Sequence, residues 1–80
     1  MSRLELEGAL QRLRMRRFEL GTKAGTKINT IKHLLAMSSI TPINEIDIEG
    51  VHVMADELLD IKKEMIRNLE DAHKIEKELE

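Results

Sequence analysis

Met54, Leu58, Ile61, Met65, Asn68, Ala72, Ile75 and Leu79 recur at spacings of 4-3-4-3-4-3-4. A repeat of this kind places every member on one stripe of an α-helix. It is also the pattern by which helices pack side by side along their whole length. A strand cannot use it, because strand side chains change face at every residue. The second half of the chain is therefore expected to be one long helix that needs a helical partner.

The first half offers that partner. Leu6, Leu10, Leu13, Leu20, Ala24, Ile28, Ile31 and Leu35 fall within an arc of ~80° at helical spacing. Ser2 followed by Glu5 fits a capping box at the start. The apolar phase runs unbroken through LGTKAGTK, residues 20–27, although Gly21 and Gly25 lie within it. Each glycine costs a helix about 1 kcal/mol relative to alanine. Beside the apolar stripe, Gly21 and Gly25 are expected to let another helix approach closely. The rival reading ends the helix at Gly21 as a left-handed cap, with Arg16 and Arg17 in the last turn. A phosphate loop is excluded by spacing, since three residues and not four separate the glycines, and Thr-Lys follows Gly25.

SSITPINEID, residues 38–47, clusters Ser, Thr, Pro, Asn and Asp and reads as the connection. Pro42 biases Thr41 away from helix and suits the start of a short helical turn. Asp47 is the expected cap of the second helix, with Ile46 and Val51 as a hydrophobic staple across it. The boundaries are helix one over residues 3–39, the connection over 40–47 and helix two over 48–79, all in one domain. Composition agrees: Phe18 is the sole aromatic, whereas strands favour aromatic and β-branched residues.

The fold class is all-α, an antiparallel hairpin of two long helices. Val51, Ala55, Leu59, Ile66 and Leu69 widen the apolar arc of the second helix beyond what one partner covers. Small scaffolds gain stability from disulfides, metals or partner subunits, and this chain has no cysteine. The expected solution is a homodimeric four-helix bundle, or a higher helical oligomer. Its interface would draw on Leu13, Leu20, Ala24, Ile31, Leu58, Leu59, Met65, Ile66 and Leu69.

Charge is divided between the halves. Residues 1–40 carry +5 and residues 41–80 carry −7. Folded about the connection, Arg16 and Arg17 are expected opposite the region of Glu70 and Asp71, and Arg3 opposite residues 76–80. Arg17 and Asn68 fall inside the two apolar stripes at nearly the same level. A shared polar layer of this kind fixes register and subunit number in helical interfaces, and the equal alternative is that Arg17 snorkels outward along its aliphatic stem. Arg12, Arg16, Lys23 and Lys27 cluster within ~60° on the outer face of the first helix. Such a stripe can follow a phosphate backbone, which makes an RNA-binding regulator the alternative function. No aromatic interleaves it, so base stacking is not on offer.

Catalysis finds little support. The serines occupy a cap and a turn, and no Ser-His-Asp grouping is suggested. Glu70-x-x-His73 has the spacing used in di-iron bundles, a third and more distant reading, but both residues lie off the seam. No metal or other cofactor is expected. No apolar run approaches the ~20 residues of a membrane helix, and MSRLELEGAL lacks the apolar block of a signal peptide. The expectation is a small cytoplasmic interaction or adaptor protein, not an enzyme. Its first partner is itself, with a further protein partner left open.

Overall fold

The computed structural model describes residues 1–36 and 38–80. Helix α1 spans Arg3–Ala36 and helix α2 spans Ile48–Leu79, with a 3-10 turn at Ile43–Glu45 between them. There is no strand among the described residues. The helices run antiparallel, since Arg3 near one end of the chain donates to the carbonyl of Leu79 near the other.

Each boundary has a local cause. The Glu5 backbone N–H donates to Ser2 Oγ at 3.2 Å, and the Ser2 hydroxyl donates to Glu5 Oε1 at 3.2 Å. Half of the expected capping box is thus present, with the glutamate bonded to the hydroxyl and not to the Ser2 backbone. The far end of α1 falls at Ala36, short of residue 39, and Ser38 donates back to the Leu35 carbonyl at 3.0 Å. Ser38 and Ser39 lie in the turn, and Met37 lies outside the described residues. Pro42 precedes the 3-10 turn, and its carbonyl accepts from Glu45 N–H at 2.9 Å. Asp47 caps α2, accepting the Gly50 N–H on Oδ1 at 2.9 Å. A Cβ at position 50 would run into that carboxylate, which accounts for the glycine in the first turn.

LGTKAGTK is helical throughout, and no described residue has a left-handed backbone. Thr22, Thr26 and Thr30 each donate a hydroxyl hydrogen bond to the carbonyl four residues back, at 3.1, 3.2 and 3.0 Å. Back-bonding of this kind slightly weakens a helix, and it falls where two glycines already lower helix propensity.

The seam of α2 is the stripe of the heptad pattern. Asn68 and Ala72 are buried, and Met54, Leu58, Ile61, Met65, Ile75 and Leu79 are half-buried. On α1 the facing residues are Leu6, Leu10, Leu13, Arg17, Leu20, Ala24, Lys27, Ile31 and Leu34. This is also a 4-3 repeat, and it corrects the expected stripe: Ile28 and Leu35 are exposed, while Lys27 and Leu34 take their places. A period of 3.6 residues selects Ile28 and Leu35, whereas paired long helices follow 3.5.

The hairpin is a rod of 59 × 15 × 15 Å with a radius of gyration of 18.2 Å. A compact chain of this length would have a radius near 12 Å. Among the described residues the buried apolar side chains are Leu6, Leu10, Leu20 and Ala72. Three buried leucines supply on the order of 5–9 kcal/mol before chain entropy is set against it.

Candidate functional site

The centre of the seam is polar. Asn68 is 4 % exposed, and both ends of its amide are bonded. Its Oδ1 accepts from Arg17 Nε at 3.2 Å, and its Nδ2 donates to the Leu13 carbonyl at 2.9 Å. No buried side-chain nitrogen or oxygen among the described residues lacks a partner. Sequence reasoning had placed Arg17 and Asn68 in one layer. It had not found Leu13 O, a helical carbonyl that no side-chain pattern marks.

One edge of the hairpin is closed by ion pairs. Arg16 donates to Glu64 through two nitrogens, one of them at 2.9 Å, and to Glu19 at 3.0 Å. The Arg16 guanidinium holds the Glu64 carboxyl below its ordinary range, with the nearby charges of Lys23 and Arg67 adding to the effect. The Glu64 and Glu19 hydrogen bonds raise the Arg16 pKa in turn. Further along, Lys27 pairs with Glu57. The expected partners of Arg16, Glu70 and Asp71, are not the ones it meets. With α1 ending at Ala36, the helices are offset by about one turn from that expectation, and Arg16 reaches a further turn along α2.

The basic stripe is therefore split. Arg16 and Lys27 are bonded to carboxylates of α2, and Lys27 lies in the seam, not on the outer face. Lys23 is close enough to act on Glu64, and Arg12 is exposed. An open groove of about 510 Å³ runs beside the Lys27–Glu57 pair, lined also by Thr22, Lys23, Thr26, Asp60 and Ile61. Its walls carry two lysines and two carboxylates, so it offers a ligand no single sign of charge.

Within the hairpin, α2 does not supply the close approach expected at Gly21 and Gly25. A Cβ built at either position meets no atom within 4 Å, so α2 does not pack closely against them. They lie to one side of the seam, and the space beside them is open.

The opposite edge of the hairpin leaves apolar side chains uncovered, with Lys62 and Arg14 among them. Leu59, Ile66 and Leu69 of α2 are 48 %, 46 % and 48 % exposed. At about 100° per residue they lie on the side of α2 away from Glu57 and Glu64. On α1 the same side holds Phe18, Gly21 and Gly25, and Phe18 is 78 % exposed. Phe18 had no role in the sequence reading. Its spacing of three and seven residues from the two glycines was the available signal.

Glu70 and His73 are both exposed, and no group of three His, Asp or Glu side chains that could hold a metal occurs among the described residues. No described helix is long and apolar enough to cross a membrane. The class that fold and surface define is an all-α helical hairpin with one charged edge and one apolar edge. Compared with protein-family models, curated proteins and solved structures, the chain matches none.

Proposed function

We propose that this chain is a small helical interaction protein that works by association and not by catalysis, with a second copy of itself as first partner. Two hairpins would form a four-helix bundle in the cytoplasm, where a cysteine-free fold needs no oxidising environment.

The observation that carries this reading is the apolar edge. The accessible surface of the hairpin is 6196 Å². A compact monomer of 9.2 kDa exposes about 4,900 Å². The excess, roughly 1,300 Å², is more than the ~800 Å² each partner contributes to a standard interface. Leu59, Ile66 and Leu69 form part of that excess on one side of α2, with Lys62 between the first two, and soluble monomers rarely leave a large apolar patch bare. The RNA-binding alternative draws less support, because Arg16 and Lys27 already have glutamate partners.

Sedimentation equilibrium at micromolar concentration tests the reading. A mass of twice 9.2 kDa or more is expected. A 9.2 kDa species with concentration-independent unfolding would refute it.

A further inference from the structure

The two edges of the hairpin differ, and so do its two helices. Together these asymmetries select one arrangement of two copies. The apolar edge spans both helices, so two hairpins that bury it must stack face to face. A closed pair then has a twofold axis within the contact plane. Two orientations satisfy this. With the axis across the rod, α1 lies on α1 of the partner, α2 lies on α2, and the connections sit at opposite ends. With the axis along the rod, α1 lies on α2 of the partner, and both connections sit at the same end.

We infer that the second arrangement is the one this chain adopts: a head-to-head dimer in which α1 of each copy covers α2 of the other. The inference rests on the self-association proposed above. The first reason is charge. The half of the chain containing α1 carries +5 and the half containing α2 carries −7. The crosswise arrangement stacks like on like twice, whereas the lengthwise one stacks basic on acidic twice. Complementary potentials of this kind select orientation and suppress wrong pairings.

The second reason is register. An axis along the rod leaves every residue at its own height. The bonded pairs Arg17–Asn68 and Lys27–Glu57 set those heights. Interpolated between them, Phe18 is level with Arg67, next to Ile66, and Gly25 is level with Leu59. The lengthwise dimer thus seats Leu59 at the partner's Gly25, where a Cβ would now meet open space. It also lays the partner's Phe18 on Ile66. The exposed Phe18 of α1 and the gap that α1 leaves at Gly25 are each met by an apolar residue of α2. Arg14, one turn before Phe18, comes level with the partner's Asp71, next to Glu70, and none of the three is in an ion pair within the hairpin among the described residues.

The absence of native cysteine allows a direct test. Asn44→Cys places one nitroxide label in the exposed 3-10 turn of each otherwise native chain. Circular dichroism and sedimentation of the labelled protein establish that it folds and dimerises like the parent. Double electron–electron resonance then reads the distance between labels. Packed helix axes lie 8–10 Å apart, so the head-to-head dimer is expected to show roughly 20–30 Å. A distance near the 59 Å rod length would overturn the inference while leaving the dimer intact. No dipolar signal together with a 9.2 kDa sedimenting species would overturn the self-association on which it rests.

Discussion

Arg17 donates through Nε to Asn68 Oδ1 at 3.2 Å, joining two polar side chains in the middle of mainly apolar seams. Asn68 turns its amide nitrogen to the Leu13 carbonyl, so the layer is complete within the hairpin. Removing Asn68 leaves the half-buried Arg17 Nε without its partner and empties a buried position. Asn68→Ala is expected to destabilise the fold by about 1–3 kcal/mol. Arg17→Leu with Asn68→Leu is expected to be neutral or stabilising, with loss of a unique register. Urea unfolding of the three proteins checks this. A double variant as unstable as Asn68→Ala would show that the layer is not the source of the effect.

Acid should weaken the charged edge. The Glu64 carboxyl is held below its ordinary value, first by hydrogen bonds from Arg16. An ordinary glutamate titrates near ~4.3. A depressed folded pKa means the contribution is full above the unfolded value and fades as pH falls through the folded one. Stability is therefore expected to fall as pH drops below about 4. Glu64→Gln should flatten that part of the profile and leave less salt dependence at neutral pH, since the pair is solvent-exposed. Identical acid limbs in both proteins would count against the pair.

The cap of α2 depends on Asp47 and on the room Gly50 leaves for it. Asp47→Ala removes the acceptor of the Gly50 N–H and should cost about 0.5–2 kcal/mol. Gly50→Ala should do far less net harm, because displacement of the Asp47 carboxylate is offset by about 1 kcal/mol of helix propensity. Thermal melts of both variants at equal concentration provide the comparison.

Ile66→Glu and Leu69→Glu place charge on the uncovered flank of α2. Neither residue contributes to the buried core of the hairpin. Both substitutions should raise the dissociation constant at least a hundredfold and lower the melting temperature with it, because the lone hairpin has so little core. Sedimentation across a concentration series gives the readout. Dimers of unchanged affinity would move the interface elsewhere.

Gly21→Ala and Gly25→Gln separate helix propensity from association. Within the hairpin both positions are open, so Gly21→Ala should raise helical stability by up to about 1 kcal/mol. Gly25→Gln is also a better helix former, yet it should weaken dimerisation about tenfold by filling the seat for Leu59. A dimer unaffected by Gly25→Gln would remove that seat from the interface.

Azimuth around α2, and around most of α1, was legible in the sequence. The 4-3 repeat from Met54 to Leu79 identified the face that α2 buries, and it set Asn68 in line with Arg17. Asp47 was recognisable as a cap, and the unbroken phase through LGTKAGTK indicated a continuous α1. These features depend on bonds and side-chain directions within a few residues of each other, and local spacing specifies them. Axial position depends on where α1 stops and how the connection folds. The stop at Ala36 and the 3-10 turn after Pro42 brought Arg16 to Glu64 and not to Glu70 or Asp71. Supercoiling exchanged Leu35 for Leu34 and drew Lys27 into the seam beside Glu57. The empty space beside Gly21 and Gly25 likewise emerged only when both helices were in place. A periodic pattern specifies the direction a side chain takes from its helix axis, but sliding one helix along another leaves that direction unchanged, so the partners it meets are decided by tertiary packing.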